Sequence, residues 1–508
     1  MNVIADILTG IAHQRAGRVV EAETLYRAVL ATEPCNARAL YLLGLLRLNG
    51  GHAAEAAATL RRAAAVRPEH TETQLYLARA LIAAGQPDQA LGVADRLLAA
   101  DPRNAEADFL RGTALNALDQ PEHAIAAFQH CLERDPGNAA AMLNLGNALA
   151  DLDRLEEAEE HCRAALSRAP DLAEAHASLG YVLTARGQPE AAIAACDKAI
   201  TLRPDFAAAH WNLAVAALLG GDFNRGLGEY EWRKRHDRFR RDFIDLPGPQ
   251  WDGSDPSGRT ILVHAEQGLG DTIQFARYLP LIAERGGHPI LACERPLLPL
   301  LAQLPGCAAV AKDAALPPYD LWIDQMSLPL VFGTRLDTIP ARAGYLRAEH
   351  RRVARWRESL PAALRVGLCW AGNPAHCNDR RRSMPATSVW RILAADRVGF
   401  VNLQVGPRAG ETGLTDLSPR LADFAETAAL IDALDLVVSV DTSVAHLAGA
   451  LGKPAWVLLA HSPDWRWLLE RDDTPWYSSI HLIRQPTPGD WDAVANEVAA
   501  ALAGLHPA

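Results

Sequence analysis

Small and apolar residues recur with a period of 34 residues along the first part of the chain. One column of this repeat holds alanine, a second holds glycine or alanine, and a third holds proline. The members of the three columns are Ala22, Ala56, Ala90, Ala124, Ala158 and Ala192; Gly44, Ala78, Gly112, Gly146, Gly180 and Ala214; and Pro34, Pro68, Pro102, Pro136, Pro170 and Pro204. A column of small residues is expected where two helices touch closely, and a proline after a helix blocks its continuation. The pattern predicts an α solenoid of paired helices over residues 1–240.

The period and its columns resemble the tetratricopeptide repeat, over residues of about 1 to 238. The last unit runs into a basic segment, residues 233–241. We interpret this segment first as the polar cap that a terminal repeat needs. Docking onto the acidic remainder of the chain is the second interpretation, and a nucleic-acid contact is the third.

The pattern changes from residue 259 onward, where short apolar runs alternate with amphipathic segments. Strands that alternate with helices are typical of parallel sheets with crossover helices. The predicted strands are 260–264, 289–293, 321–324, 366–370, 400–405, 436–440 and 455–459. We therefore predict two α/β domains. The predicted segments are a linker at 241–258, the domains at 259–348 and 364–486, a helix near 350–360 between them, and a C-terminal helix within 487–508.

The first predicted strand ends in a glycine-rich loop, Gly268-x-Gly270-Asp271, which leads into a helix. Open parallel sheets bind ligands at the carboxyl ends of their strands, and glycines let the backbone approach a ligand closely. Asp271 would stand at the helix N-terminus, where aspartate is also a common cap. The residues alone leave both interpretations open, a site residue or a helix cap.

The strand predicted at 436–440 runs into Asp441, Thr442 and Ser443, with His446 one turn into the next helix. The exposed N–H groups and the helix dipole at such a turn suit a diphosphate. The alternative is a capped helix with His446 packed inside the domain. Three polar side chains at one strand end favour the binding site.

These two loops carry a resemblance to a known enzyme family. The pattern at 441–448, with Lys453-Pro454 ahead of the next strand, is similar to the nucleotide-sugar motif of heptosyltransferase-like glycosyltransferases of family nine. The Gly268-x-Gly270-Asp271 loop resembles the N-terminal loop of the same family. The segments 266–275 and 463–467 resemble a bacterial branch in which this enzyme is fused to tetratricopeptide repeats.

The resemblance implies the GT-B fold, which consists of two facing Rossmann-like domains. The C-terminal domain would hold the sugar donor and the N-terminal domain the acceptor. Asp271 matches the position proposed as general base in the family. The residues that match the donor-binding loop are Asp441, Thr442, Ser443 and His446.

The chain also departs from the family pattern. Ser443 stands where typical heptosyltransferases have glycine, and their basic phosphate-contacting segment is not recognisable. Near the position where the family has its basic segment, polar residues follow the strand predicted at 366–370. For the arginines among them, a solvated loop is the alternative. The remaining predicted donor contacts are Gly268, Gly270, Asn373, Arg381 and Arg382. The identity of the donor sugar and its nucleotide stays open.

An inverting transfer needs a base for the acceptor hydroxyl and a positive group for the departing diphosphate. Asp271 can supply the first, and the turn at 441–446 with Arg381 or Arg382 can supply the second. No DxD motif stands in a strand-end loop of the α/β region, and metal-ligand spacing is lacking. We therefore predict no metal and no cofactor, with a nucleotide-diphosphate sugar as donor substrate. The other function class is a catalytically silent repeat scaffold or protein-interaction module of the same fold.

One column of the repeat turns polar only in the three units nearest the α/β region. Its members there are Asn144, Ser178 and Asn212. Amides along a groove can pair with a peptide backbone of any sequence, and the series resembles the groove asparagines of O-GlcNAc transferases. The alternative is that these side chains simply face solvent. If these side chains line a groove of the solenoid, the groove would recruit the acceptor, either a protein or a surface-glycan precursor.

The composition limits the remaining partners. The formal net charge of -11 argues against nucleic-acid binding, and no apolar stretch of about 18 residues predicts a membrane span. The eight cysteines include no CxxC pair, so we expect reduced thiols in a cytoplasmic protein. The aromatic residues Trp465, Trp467, Trp476 and Tyr477 are expected to fill a core or domain seam, with ligand stacking as the alternative.

Overall fold

The computed structural model describes residues 2–341, 344–361, 363–376 and 378–505. Its N-terminal part consists of consecutive helices, as the repeat pattern predicts. These helices are α1 (Val3–Arg15), α2 (Val19–Thr32), α3 (Ala37–Asn49), α4 (Ala53–Val66), α5 (Thr71–Ala83), α6 (Pro87–Ala100), α7 (Ala105–Ala117), α8 (Pro121–Arg134), α9 (Ala139–Asp151), α10 (Leu155–Arg168), α11 (Ala173–Ala185), α12 (Pro189–Leu202), α13 (Ala207–Leu219) and α14 (Phe223–Tyr230). The predicted α solenoid is confirmed.

Caps and prolines set the ends of these helices. The side chains of Asn36, Asn104 and Asn138 each accept a hydrogen bond from a backbone N–H in the first turn of α3, α7 and α9. Each periodic proline lies two residues after the last residue of an even-numbered helix, from α2 to α12. A proline there lacks only an N–H that the helix no longer needs.

The column of small residues is where paired helices touch. A Cβ atom added to Gly44 would lie 2.5 Å from the side chain of Leu60, and one added to Gly112 would lie 2.6 Å from the ring of Phe128. Both partners are fully buried. Glycine in one helix therefore makes room for a large side chain in the next helix.

The helices and sheets divide into two compact units. One comprises residues up to Val182 together with Thr201–Pro204, and the other comprises Leu183–Ile200 and the chain from Asp205 onward. The helices α13 and α14 thus belong to the same unit as both sheets. The domain bounds derived from the sequence stay predictions.

The first sheet has four parallel strands in the order β3-β2-β1-β4. The strands are β1 (Thr260–His264), β2 (His288–Cys293), β3 (Ala308–Ala311) and β4 (Leu321–Asp324), and the helices are α15 (Leu269–Phe275), α16 (Leu279–Glu284), α17 (Leu298–Leu301) and α18 (Leu328–Val331). Strand β1 lies inside the sheet, so its carboxyl end opens at a central position of the edge where ligands bind in parallel sheets.

The second sheet has five parallel strands in the order β6-β5-β7-β8-β9. Its strands are β5 (Leu364–Cys369), β6 (Val398–Asn402), β7 (Leu436–Val440), β8 (Ala455–Leu459) and β9 (Ile480–Arg484), and its helices, with the one that precedes it, are α19 (His350–Ser359), α20 (Asp379–Arg382), α21 (Ala386–Leu393), α22 (Phe424–Ala433), α23 (Ser443–Leu451) and α24 (Trp491–Ala503). Both sheets with their crossover helices are Rossmann-like α/β domains, as predicted.

All seven predicted strands are present, and two further strands were missed. The missed strands β3 and β9 lie at sheet edges. Strand β3 is four residues of alanine and valine, half of whose residues are partly buried, and β9 alternates exposed and buried residues at its start. Neither strand has the continuous run of large apolar residues by which a buried strand is predicted, and for this reason the sequence did not predict them.

Two further observations concern the described residues as a whole. None of their helices combines the length and the apolar character that crossing a bilayer requires. The described cysteines are free thiols, while Cys377 lies outside the described residues.

The helix contact at Gly112 can be tested by adding one methyl group. Gly112→Ala is expected to lower the free energy of unfolding by roughly 1–3 kcal/mol, because the new Cβ would overlap the buried Phe128 ring. Urea unfolding followed by circular dichroism measures this loss. Gly92→Ala in α6 is the matched control, since the nearest atom to its new Cβ is 3.9 Å away. That variant should gain up to about 1 kcal/mol from helix propensity. Equal stability of the two variants would contradict the close-contact account.

Candidate functional site

The two loops that the sequence singled out meet at one place. Helix α15 starts after the carboxyl end of β1, and α23 starts after the carboxyl end of β7, so each begins at the ligand-binding edge of its own sheet. A Cβ atom on Gly270 would lie 2.9 Å from the ring of His446 and 3.4 Å from the Cα of Ser443. Glycine at position 270 therefore lets the start of α15 contact the start of α23 directly.

Asp271 lies at this contact with both carboxylate oxygens engaged. Its Oδ2 accepts a hydrogen bond from the backbone N–H of Gly268 at 2.9 Å, which caps α15. Its Oδ1 accepts one from Nη2 of Arg466 at 2.5 Å. About a fifth (21%) of the side chain stays exposed. The capping interpretation is thus confirmed, and the assignment as general base stays a prediction that capping does not exclude.

Arg466 is the functional candidate that sequence reasoning missed. It lies in the single turn Trp465–Trp467, which follows β8, and is almost completely buried. Besides Asp271 it contacts Asp464 and, through Nε at 2.9 Å, the side-chain oxygen of Gln274. The signal was present as an arginine between two tryptophans shortly after a strand end, but a charged residue there is expected at the surface.

The buried His446 and the half-buried Asp441 lie side by side at the start of α23. Nδ1 of His446 lies 3.1 Å from the hydroxyl of Tyr477, and its Nε2 lies 3.8 Å from Oδ1 of Asp441. Burial, reinforced by the positive charge of Arg466, lowers the pKa of His446 to about 3, so the ring is neutral. Burial and the neighbouring charge of Asp464 raise the pKa of Asp441.

The Thr442 hydroxyl contributes to the local structure of this turn. It caps α23 by accepting a hydrogen bond from the N–H of Val444 at 3.3 Å, and it lies 3.1 Å from the hydroxyl of Ser439. Ser443 is half-buried as the first residue of α23. The turn is therefore a capped helix N-terminus, which is compatible with both interpretations that the sequence left open.

The predicted donor residues after β5 are only partly brought to this place. Arg382, on α20, lies at the carboxyl end of β5, the neighbour of β7, because a Cβ atom on Gly372 would be 2.5 Å from its Nη2. Arg381 is half-buried on the same short helix. Asn373 is exposed, and its side chain accepts a hydrogen bond from the N–H of Ala375 at 3.0 Å, as in a turn.

The predicted groove residues occupy the first helices of their repeats. Asn144 lies on α9, Ser178 on α11 and Asn212 on α13, and all three are half-buried. Asn144 and Ser178 belong to the first compact unit and Asn212 to the second. Their partial exposure agrees with both a groove and a solvated surface.

The basic segment after the repeats is in part buried. Arg233 is fully buried and binds both oxygens of Glu266, at 3.0 and 2.6 Å. Lys234 contacts Asp324 at 3.1 Å. For Arg233 and Lys234 the interpretation as the polar cap of a terminal repeat is therefore wrong, and the second interpretation, docking onto acidic side chains of the remainder of the chain, describes their contacts.

The four aromatic residues that the sequence assigned to a core or seam are buried there. Trp465, Trp467, Trp476 and Tyr477 are each less than 4% exposed. The rings of Trp465 and Trp476 meet edge to face, with centroids 6.0 Å apart. Core packing is thus confirmed as their role.

Comparison with known protein families matches both halves of the chain. Tetratricopeptide repeat profiles match residues 7–70, 49–112, 115–180 and 180–220. Glycosyltransferase family 9 (heptosyltransferase) matches residues 405–487, which include the turn at 441–446 and Arg466. Tetratricopeptide repeats are here joined to a family 9 glycosyltransferase domain. The resemblance read from the sequence is confirmed.

Individual relatives are similar over part of the chain. Protein FlbA of Caulobacter vibrioides is 30% identical over 311 residues, which are 53% of this chain and 52% of FlbA. The chain thus spans about half the length of this curated relative. A tetratricopeptide repeat protein from Parabacteroides merdae is 19% identical with a TM-score of 0.41, covering 46% of this chain and 93% of that protein. TTC0263 of Thermus thermophilus is 23% identical with a TM-score of 0.33, covering 36% and 99%.

Proposed function

We propose that this protein transfers a sugar from a nucleotide-diphosphate sugar to an acceptor that the repeats recruit, with inversion and without a metal ion. The acceptor is a protein or a surface-glycan precursor, and the reaction takes place in the cytoplasm. One observation carries the proposal. The start of α15, which carries Asp271 and belongs to one Rossmann-like domain, contacts the N-terminus of α23 through Gly270, and the Asp271 carboxylate is bonded to Arg466 of the other domain. The GT-B arrangement would place acceptor and donor on these two sides.

The start of α23 suits the diphosphate of the donor. Its first N–H groups carry partial positive charge, equivalent to about half an elementary charge at a helix N-terminus. Arg382, which lies against Gly372 after β5, adds positive charge at the same edge of the sheet. The pKa of Asp441 is raised to about 6, so this group takes up a proton more readily than an ordinary carboxylate when the negative charge of a diphosphate approaches.

Asp271 suits the proton transfer on the acceptor side. A carboxylate offers about four lone-pair sites, and the bonds from Gly268 and Arg466 use two of them. The remaining sites can accept the proton of an acceptor hydroxyl while the bonded ones hold the group in place.

One observation favours the second candidate function, a catalytically silent scaffold. Both oxygens of Asp271 take part in bonds that hold the fold together, so this residue has a structural role without any turnover. Screening nucleotide sugars by thermal shift, followed by assays of donor hydrolysis and transfer, separates the two functions. A silent scaffold would show no turnover with any donor that binds.

Removal of the negative charge of Asp271 tests its role as general base. Asp271→Asn is expected to lower turnover about 10²-fold or more, because an amide cannot take the hydroxyl proton. Steady-state kinetics with the donor identified by the screen measure this loss, and circular dichroism verifies the fold.

Asp423→Asn is the matched control for this substitution. Asp423 also caps a helix, by accepting from the N–H of Glu426, and it also lies beside an arginine, Arg352. Its variant should keep wild-type turnover. Full turnover in Asp271→Asn would refute the assignment, and equal losses in both variants would attribute the effect to helix capping.

The donor site at α23 can be tested at its first residue. Ser443→Val is expected to weaken donor binding about tenfold or more, since the branched side chain would stand among the N–H groups that bind the diphosphate. Ser443→Ala removes only the hydroxyl and should cost less, about threefold to tenfold. Calorimetric titrations with and without EDTA should give the same Kd. An unchanged Kd in the valine variant would contradict the donor site, and a loss of binding in EDTA would contradict the metal-free proposal.

Recruitment of the acceptor by the repeats can be tested at the asparagine column. Asn144→Ala and Asn212→Ala, singly and together, should weaken acceptor binding severalfold in the double variant, because each amide contributes roughly 0.5–1.5 kcal/mol. Donor hydrolysis needs no large acceptor and should not change. Asn116→Ala is the control, since it lies six residues past this column and hence on another face of α7. Identical acceptor kinetics in the double variant and wild type would mean that the column does not bind the acceptor.

A further inference from the structure

The guanidinium group of Arg466 connects the two Rossmann-like domains at the predicted site. Its Nη2 donates to Asp271 at 2.5 Å and its Nε donates to Gln274 at 2.9 Å, both on α15 of the first domain. Its Nη1 donates to Asp464 at 2.8 Å in its own loop. All three nitrogens are thus occupied, and the planar fork of arginine fixes their relative directions.

Aromatic rings enclose this group. The guanidinium carbon of Arg466 lies 4.5 Å from the ring centre of Trp465 and 5.6 Å from that of Phe275. The residue is 6% exposed. A desolvated cation between two carboxylates is held firmly, because any movement would leave a buried charge without a partner.

The backbone beyond Arg466 adopts a conformation that requires support. Leu468 has φ 54° and ψ -168°, a region that side-chain-bearing residues rarely occupy. Arg484 provides part of this support by donating to the carbonyl oxygens of Trp467, Leu468 and Arg471. Two arginines therefore hold the same loop, but only Arg466 reaches Asp271.

We propose that Arg466 is a positioning residue that fixes the carboxylate of Asp271 relative to the donor side of the cleft. The inference rests on the proposed function. The N–H of Gly268 holds one oxygen of Asp271 from within the first domain, and Arg466 holds the other from the second domain. With both bonds present the carboxylate has a single orientation, and the direction of the free lone pair on each oxygen is fixed. Without Arg466 a single hydrogen bond holds the carboxylate. The group can then rotate about its Cβ–Cγ bond while still capping the helix.

Replacement of each arginine by lysine tests this role. Lysine keeps the charge but cannot bind Asp271, Gln274 and Asp464 at once. Arg466→Lys is expected to lower kcat about tenfold or more, because a base displaced by about 1 Å costs up to 10²-fold, and to change the KM for the donor less than about threefold. Arg484→Lys loosens the same loop without touching Asp271, and its kcat should stay within about threefold of wild type. Equal losses of kcat in both variants, or a loss confined to KM, would overturn the inference.

A second measurement does not depend on activity. Melting temperatures of Asp271→Asn, Arg466→Lys and the double variant form a mutant cycle. If the two side chains are bonded, the loss in the double variant is smaller than the sum of the single losses. Additive losses in an active protein would overturn the inference alone. A wild-type protein that binds donors without turnover would overturn the proposed function, and the positioning role with it.

Discussion

The guanidinium of Arg466 is the interaction on which the arrangement of the candidate site depends. It is desolvated, and it is bound at the same time to Asp271 and Gln274 of one domain and to Asp464 of the other. The free energy of removing a cation from water is recovered only if its hydrogen bonds are complete, so the loop after β8 and the start of α15 are constrained to fit each other. Gly270, which contacts the start of α23, directly precedes Asp271, so the bonds of Arg466 hold the same chain segment that makes this contact. A single buried charge thus sets the geometry of two chain segments that lie nearly two hundred residues apart.

A second buried ion pair fixes the other side of the same loop. Arg233, just after the last repeat helix, binds Glu266 with both carboxylate oxygens, and the neighbouring Tyr230 exchanges hydrogen bonds with Gln267. Glu266 and Gln267 directly precede the glycine-rich loop. Because Gln267 has a positive φ of 64°, this segment is conformationally costly and needs such contacts to persist. The last repeat is therefore part of the compact unit that carries the candidate site, and its side chains support the loop of Asp271.

The titratable groups at the start of α23 illustrate how burial changes chemistry. His446 is neutral, since burial lowers its pKa, and it acts as a packing and hydrogen-bonding group against Trp467 and Tyr477. Asp441 has a raised pKa for the same reason. A site of this kind presents the neutral ring of His446 and helix N–H donors to an anionic ligand, while the cations Arg466 and Arg382 stand close by.

The sequence by itself determined the repeat architecture and the two parallel sheets. Residues that face a core recur at the spacing of the helix, strand or repeat, and this spacing can be seen along the chain without knowledge of distant contacts. The glycines opposite Leu60 and Phe128, the prolines after the helices and the strand-end loops at 268–271 and 441–446 were all readable in this way. Strands β3 and β9 were not, since β3 consists of alanine and valine, half of them only partly buried, and β9 begins with alternating buried and exposed residues, so neither shows a continuous run of large apolar residues. Only the tertiary structure decided that Arg233 and Arg466 are buried. An arginine is expected at the surface, and its burial depends on carboxylates that lie far away in the sequence and meet it only in the folded chain.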